Sequence, residues 1–542
     1  MVIGGGVAGL TTAHELAERG YKVTIFEKRQ WGGKARSMDT ALPVSDGRRP
    51  LPGEHGFRFF PGFYRCIPDT MSRIPFPGNA KGVYNNLVAA PTVTGAQTGA
   101  DITLPFGVDG SQIGVAADLK WLVKTLQGAA GWIPDLPYAE LLKFANRLFV
   151  FFTSCDARRY GQWENQSFLD FAKVTEDSHP NYLLLISVLT NTLVAAKEDI
   201  ASARSICWQA ENFFLNILGR NNGELLTDNV LNGPTNEVWI DPWVAHLKTL
   251  GVDFKLGYTV QSVNMSGGKL ATATVKDANG AASDIEADWF VNALAPEHVH
   301  SVFPPEVTAA DPDLNKIKDL FVDWMTGVLF YLNKDVVRAP GHIGFIESPW
   351  KVSGIQQGQF WKKYNIGRDF GDGKAKDILS LAISDWDTPG LTIKKPAKEC
   401  SPEEVAKEVW THVVKTLDGV ADSDLAYWYV DEGLVWDGSK YTENQDQLLI
   451  NTKSSWQNRP TTTTKIPNLF LAGDYLRSNV DLATMEGACE GGRNAANAIL
   501  DASGSSAAKA QLWPHVTFRE FNGLRTLDEA RYRVGLRNLF DV

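Results

Sequence analysis

Gly4, Gly6 and Gly9 stand in a G-x-G-x-x-G spacing within Met1-Val-Ile-Gly-Gly-Gly-Val-Ala-Gly-Leu10, and Glu27 follows eighteen residues after Gly9. Those residue types at those distances can clamp a dinucleotide. Gly4 allows a tight turn out of a strand, Gly6 lets the backbone approach a pyrophosphate, and Gly9 lets a helix pack closely on a sheet. The phosphates would rest on the helix N-terminus, where unpaired N–H groups and the positive dipole end meet them. The Glu27 carboxylate would accept hydrogen bonds from a ribose diol.

Such a clamp needs a strand, a helix and a second strand to hold it, and the surrounding residues supply that pattern. Val7, Leu10, Ala13, Leu16 and Ala17 fall on one helical face, Gly20 follows as a stop, and Val23 and Ile25 alternate as in a strand. Only Met1, Val2 and Ile3 precede the glycines, so the first strand is expected to be short. Beyond Glu27 the chain runs Lys28-Arg-Gln-Trp-Gly-Gly-Lys-Ala-Arg-Ser37. Gly33 offers a second N–H approach to phosphate there, and Arg36 a fixed fork of donors; a solvated surface charge is the competing account of Arg36.

Glu27 followed by Gly32-Gly-Lys-Ala-Arg-Ser37 resembles the FAD-binding signature of the flavin amine oxidase and phytoene desaturase superfamily. Pro467-Asn-Leu-Phe-Leu-Ala-Gly-Asp-Tyr475 and Leu482-Ala-Thr-Met-Glu-Gly-Ala-Cys-Glu-Gly-Gly-Arg493 resemble its closing FAD motif. The resemblance implies an α/β chain with a Rossmann-like, discontinuous FAD-binding domain of the two-dinucleotide-binding-domain flavoprotein type and an inserted mixed α+β substrate domain. It implies that Asp474 lies on the ribitol and pyrophosphate side, and that a helix starting near Thr484 aims its N–H groups at the flavin pyrimidine, stabilising the charge gained on reduction. The cofactor-binding set so implied is Gly4, Gly6, Gly9, Glu27, Lys28, Gly33, Lys34, Arg36, Phe57, Arg58, Phe59, Val260, Gly473, Asp474, Thr484 and Met485.

A third stretch, Glu54-His-Gly-Phe-Arg-Phe-Phe-Pro-Gly-Phe-Tyr64, is similar to one that runs along the flavin in plant-type carotene desaturases. It departs from that pattern at Arg58, where the family carries His, and at Pro61, inserted before Gly62. Lys197 to Arg204 and Gly233 to Val263 look desaturase-like too, with Val260 where family members meet the adenine through the main chain. Glu54 and Arg58 are the candidate catalytic residues, while fixing the cofactor or pairing with each other is the favoured account of both. Strand alternation would turn Phe57 and Phe59, or the opposite set, toward the cavity.

The 542 residues suffice for more than one domain, and 44% hydrophobic with 21% charged is ordinary for a globular enzyme. A net charge of −10 gives no support for nucleic-acid binding. Residues 1–80, 230–300 and 455–500 are expected to build the FAD-binding domain. Residues 81–229, largely helical, and 301–454, mixed, are expected to build the substrate domain, with 501–542 as a C-terminal extension. A hairpin of Ala271–Val275 and a strand beginning at Asp284, followed by a buried strand to Asn292, is expected after a helix that starts near Val238.

Cys66, Cys155, Cys207, Cys400 and Cys489 form no C-x-x-C pair, and free thiols are expected. Cys489 lacks the Ser-Gly-Cys-Tyr context in which amine oxidases anchor FAD, so the FAD should be non-covalent. The nine histidines show no metal-ligand spacing, and no metal is expected. No signal segment is read, which makes the cytoplasm the expected location. Leu119 to Leu126 with Trp132 and Ile133, and Leu141 to Phe152, are aromatic-rich with interspersed basic residues; they suit core packing or peripheral membrane contact, and neither is long enough to span.

The expected activity is an FAD-dependent oxidoreductase that abstracts hydride from carbon and desaturates or dehydrogenates an apolar, isoprenoid-like substrate, passing electrons to a quinone or to oxygen. A flavin amine or amino-acid oxidase is the alternative, although Thr484 stands where many amine oxidases carry a cage tyrosine. A non-redox flavin-dependent isomerase is the third reading.

Overall fold

The computed structural model describes residues 1–542 apart from 46, 57, 100, 106–115, 130–132, 134, 193–195, 221–224, 226–227 and 337. One half is a five-stranded parallel sheet in the order Leu469–Leu471, Phe290–Asn292, Val2–Ile3, Thr24–Glu27, Asp253–Leu256. Strands from four distant stretches of chain therefore meet in one sheet. The three central strands carry short apolar runs and are buried on both faces or nearly so, as a parallel sheet covered by helices requires.

The helix Val7–Ala17 follows the first strand. Its spacing suggests a single apolar face, yet Thr11, Thr12, His14 and Glu15 are buried as well. The physical reason is its position. It lies on the sheet and is also covered by the helix Met485–Ala502 and by the helix Asp241–Thr249. Three of these polar side chains are bonded: Thr12 Oγ1 donates to the Ala8 carbonyl at 2.9 Å, Arg19 Nη1 reaches Glu15 at 2.7 Å, and the Trp243 indole N–H donates to His14 at 3.1 Å.

Lys269–Lys276 and Ala282–Glu286 form the expected hairpin, which Thr259–Ser266 extends to an antiparallel three-stranded sheet, before the buried strand Phe290–Asn292. The other half is a seven-stranded sheet in the order Leu425–Val430, Thr326–Leu332, Asp377–Ile383, Ser353–Gln356, Gly341–Phe345, Thr92–Ala96, Ile102–Pro105. Two of its strands come from the stretch read as largely helical. The β-branched run Thr92-Val-Thr suits that sheet, where it pairs in parallel with Gly341–Phe345.

Helices Leu119–Ala129, Tyr138–Phe152 and Ala203–Ile217 form a helical layer. Phe144, Leu148, Phe151 and Phe152 are buried in its core, which accounts for most of the aromatic content of 141–152. Leu119, Tyr138 and Leu142 remain exposed, and Trp132 lies outside the described residues. Among the described residues no helix is long and apolar enough to cross a membrane.

The C-terminal stretch is bound into this layer. Phe518 and Phe521 join its core, and the helix Asn522–Arg533 places Asp528 beside Arg158, 3.0 Å apart and both buried. Asp528 also accepts from the Cys155 N–H at 2.9 Å and from Asn538 at 3.0 Å. Removing one partner of a buried ion pair strands the other, at a cost of about 3–5 kcal/mol. Asp528→Ala should lower the urea midpoint of unfolding accordingly; an unchanged midpoint would show that the extension adds nothing to the stability of the fold.

Candidate functional site

A cavity of about 790 Å³ extends between the two halves, lined by the glycine turn at one end and by residues up to Met485 and Ala488 at the other. The first turn is built by conformation and by close approach. Gly4 has φ +105° and its N–H donates to the Phe26 carbonyl at 2.9 Å, while a Cβ on Gly9 would lie 2.0 Å from the Gly4 oxygen. Gly4 and Gly6 line the cavity; Gly9 sits behind them and seats the helix on the strand.

The second loop backs onto the first. The Gly32 N–H donates to the Gly5 carbonyl at 2.9 Å, and a Cβ on Gly33, itself at φ +54°, would stand 3.1 Å from the Gly6 Cα. Two side-chain-free turns thus face the same space, which is the shape that a pyrophosphate approached by backbone N–H groups requires. Glu27 lines it, its carboxylate accepting from Gly5 N–H at 2.8 Å and from Arg29 N–H at 2.7 Å. Lys28 lies at the exposed rim, and Lys34 pairs with Glu297 at 2.6 Å.

Arg36 is buried, donating to the Gly33 carbonyl at 2.9 Å and to Asp446 at 3.0 Å. Arg29 reaches the other Asp446 oxygen at 2.6 Å. Burial opposes ionisation of Asp446, but His55, Arg36 and Arg29 hold its carboxyl well below the usual carboxylate range. A solvated Arg36 is therefore excluded. Asp446, with Gln445 and Gln447 on the same wall, belongs to a stretch in which no motif signals a site; only the fold brings it here.

The Glu54–Tyr64 segment is irregular beyond the short strand Pro52–Glu54, so strand alternation does not apply. Arg58, Phe59, Phe63 and Tyr64 all line the cavity, Phe60 is core, and Phe57 lies outside the described residues. The Arg58 terminal nitrogens donate to the carbonyls of Gly56 at 2.9 Å, Lys34 at 2.7 Å and Arg36 at 3.2 Å, and its Nε is enclosed without a protein partner. Arg58 thereby ties this segment to the second glycine loop. Glu54 is buried behind the cavity wall and accepts from the Thr235 N–H at 3.1 Å and the Thr235 hydroxyl at 2.9 Å. His55 does line the cavity, its Nδ1 held 2.6 Å from Asp431.

At the far end, Gly473 and Asp474 follow the strand Leu469–Leu471 into the cavity, and burial pushes the Asp474 carboxyl up while Lys34 pulls it down. Thr484 caps the helix Met485–Ala502, its hydroxyl accepting from the Gly487 N–H at 3.0 Å, and Thr484 and Met485 both line the cavity. Glu486 turns away and accepts from the N–H groups of Arg65, Cys66 and Ile67 at 2.6–2.9 Å, tying this helix to the one at Cys66–Ser72. Val260 lines the opposite end from the strand Thr259–Ser266.

Away from the cavity, His14, Glu18 and His246 place ligand-type atoms within 4.8 Å of one another, a grouping that linear spacing did not suggest. The Trp243 indole N–H donates to His14 Nδ1 at 3.1 Å, which puts the ring proton on Nε2, 3.1 Å from Glu18. Both ring nitrogens are therefore committed to hydrogen bonds.

The sequence profile of a family described as flavin containing amine oxidoreductase matches residues 7–500. No curated protein matches the chain in sequence. Among solved structures, cyclohexylamine oxidase from Brevibacterium oxydans IH-35A is similar at 15% identity with a TM-score of 0.61, the match covering 92% of this chain and 98% of that one. An oxidoreductase from Methanosarcina mazei is similar at 13% identity and TM-score 0.57, covering 91% and 98%. A putrescine oxidase is similar at 12% identity and TM-score 0.58, covering 92% and 98%. At these identities the likeness is one of fold.

Glu27→Ala and Asp474→Ala should each weaken FAD binding about 10- to 150-fold, the worth of a charge-assisted hydrogen bond, as read by titrating FAD into apoprotein. Unchanged affinity in both would remove them from the cofactor site. Burial pushes the Glu54 carboxyl up to about 7, with Arg58 and Thr235 opposing. The folded chain therefore holds a proton that the unfolded chain releases near pH 4.3, so this group's contribution to stability falls as pH rises from about 4.5 through 7. Glu54→Gln should flatten the decline of Tm across that window; an identical slope would mean that Glu54 is ionised throughout.

Proposed function

The chain belongs to the flavin containing amine oxidoreductase family and is an FAD-dependent oxidoreductase, and we propose that it removes hydride from a carbon of a predominantly apolar, isoprenoid-like substrate. The observation that carries this reading is the character of the wall around Thr484 and Met485. Phe63, Ile206, Phe213, Met325, Leu482 and Ala483 line it. Among the described lining residues the carboxylates are Glu27, Glu443, Asp446 and Asp474. Three of these stand beside the glycine loops or their Arg and Lys partners, and Glu443 lies in the strand leading to Asp446. A charged amine moved against the apolar wall would lose hydration with no carboxylate to replace it, whereas an apolar chain gains about 25 cal/mol for each Å² buried.

Bound FAD supplies the hydride-accepting ring. Gly4, Gly6, Gly33, Glu27 and Arg36 would hold its nucleotide and pyrophosphate, and Asp474 its ribitol. The chain's own contribution to the reaction is positional. The apolar wall orients the C–H bond and excludes water, and the helix capped by Thr484 turns its positive dipole end toward the same space. The likeness of Glu54–Tyr64 to carotene desaturases supports the apolar substrate class, and dioxygen or a quinone is the electron acceptor that suits it.

Oxidation next to nitrogen is the second reading. The family description and the amine oxidases among the fold relatives favour it. Thr484, capping the helix where a cage tyrosine would otherwise stand, weighs against it.

The purified protein should be yellow and release FAD on acid or heat denaturation, since Cys489 is buried in its helix beside Thr70, 3.4 Å away, and is not among the residues that line the cavity. Anaerobic mixing with apolar isoprenoids should bleach the flavin band, with alkyl amines slower. Faster bleaching by amines would transfer the assignment to amine oxidation, and flavin retained on the denatured chain would overturn the non-covalent attachment.

A further inference from the structure

An oxidation that takes hydride from carbon also releases a proton, and the two residues that the sequence offers as acid–base groups do not accept it. Glu54 is buried behind the wall on Thr235, and Arg58 gives its terminal nitrogens to three carbonyls and stays a cation throughout. His298 lines the cavity too, but it follows the segment 293–295, which packs on Gly4 at the glycine-turn end. His55 is placed differently.

A glycine brings His55 to its position. The Gly327 N–H donates to the His55 carbonyl at 3.2 Å, and a Cβ on Gly327 would stand 2.8 Å from the Glu54 carbonyl oxygen. A residue without a side chain therefore lets 54–55 lie on the strand Thr326–Leu332. The Asp431 N–H donates to the Gly327 carbonyl at 3.3 Å, so His55 and Asp431 meet across the same glycine. Met325, two residues earlier, belongs to the apolar wall, whereas Asp446, whose carboxyl His55 helps to hold down against burial, belongs to the polar end. The imidazole stands where the two ends of the cavity join.

The pair has a closed side and an open side. Asp431 has no exposed side-chain surface; one oxygen lies 2.6 Å from His55 Nδ1 and the other accepts from the Gly433 N–H at 2.7 Å. Burial opposes ionisation of Asp431, but His55, the Gly433 N–H and Arg36 hold its carboxyl below the ordinary range. An ionised carboxylate only accepts, so Nδ1 donates and the lone pair of the neutral ring is on Nε2. Nε2 bonds to no described residue and is not enclosed, and the ring keeps 8% of its surface open. His55 lines the cavity and Asp431 does not, so the open edge is the one toward the cavity.

We propose that His55 Nε2 accepts the proton that the substrate loses as hydride leaves, and holds it while the cofactor is reduced. The electron pair departs with the hydride to the bound FAD. A second bond, a C–H, O–H or N–H beside the oxidised carbon, breaks; its electrons form the new π bond and its proton forms the Nε2–H bond. Asp431 is a positioning residue, fixing the tautomer and standing against the charge that His55 gains. The charged groups that face the ring are Asp431 and Asp446, with Arg36 and Arg58 opposite them. Arg29 and Glu54 stand one contact further away, and the strand Thr326–Leu332 brings no acidic or basic side chain. The inference rests on the FAD-dependent removal of hydride proposed above and supplies its proton acceptor.

The test follows the histidines directly. FAD-loaded protein carrying carbon-13 at histidine Cε1 is titrated by NMR in the oxidised form and after anaerobic reduction with dithionite, and His55→Gln identifies the His55 signal by its loss. Reduction should raise the proton affinity of His55 about 10-fold or more, a shift of about one pH unit. In anaerobic bleaching with farnesol and with decylamine, His55→Gln should slow whichever probe reduces the flavin by about 10²- to 10⁴-fold at unchanged FAD content. It should also abolish the loss of rate at acid pH that protonation of the base causes. Asp431→Asn should lower the pH at which His55 titrates in both forms, and Asp431→Glu should restore it.

A His55 signal that titrates identically in both forms would overturn the assignment, as would an unchanged bleaching rate and pH profile in His55→Gln. If His55→Gln does not retain FAD, the unaltered protein still decides, because reduction that moves none of its nine histidine titrations overturns the proposal. If neither probe bleaches protein that holds FAD, the substrate reading fails, and the titration decides His55 separately.

Discussion

The structure depends on one contact between the two ends of the chain. The helix Met485–Ala502 approaches the helix Val7–Ala17 so closely that a Cβ on Gly492 would stand 2.6 Å from the Ala8 carbonyl, and a Cβ on Gly491 would stand 2.6 Å from the Gly473 carbonyl. Thr12 donates across the seam to the Gly492 carbonyl at 3.3 Å. Only glycine permits backbones to meet at that distance. The first glycine turn and the helix capped by Thr484 are thereby held in one rigid unit, whatever the inserted half does between them.

Around that seam the cavity is polar at one end and apolar at the other, and the two ends are stabilised differently. Charges at the polar end are buried or half-buried and bonded: Arg36 and Arg29 share Asp446, and Arg58 gives its terminal nitrogens to three backbone carbonyls. Buried pairs of this kind add little net stability, yet breaking one is expensive, so they hold loops in place. The apolar end needs no such network, because aromatic and aliphatic side chains gain by leaving water. Phe63 and Phe213 meet edge to face there, with centroids 5.2 Å apart.

The substrate half is attached by long-range bonds as well as by the covalent chain. Trp208 donates to the Asn479 carbonyl at 2.9 Å, and Arg204 links Glu164 with Asp481. Each joins elements far apart in sequence. The helical layer is thereby braced against the segment 478–482, which leads directly into the closing helix.

The sequence by itself determined the local geometry of the two glycine turns and of the closing helix. Gly4, Gly6, Gly9, Glu27, Gly33 and Arg36 act through backbone conformation and local spacing, and Gly473 to Met485 through a strand, a turn and a capped helix; such features depend on neighbours a few residues away. It could not determine that the helix Val7–Ala17 is covered on nearly all sides, because the second cover arrives from residue 485 onward. The strand-like alternation expected around Phe59 failed for a related reason: the described residues after Glu54 are not in regular strand pairing, and residues of both parities, Arg58 and Phe59 among them, reach the cavity. Glu54 and Arg58 were legible as a charged pair near the site, but not that one is bonded to Thr235 behind the wall and the other to three carbonyls. Asp446, His55 with Asp431, and the amides of Gln209 and Asn451 were decided by tertiary structure alone. Their chemistry comes from partners tens to hundreds of residues distant, and no local pattern encodes which carbonyl an amide meets.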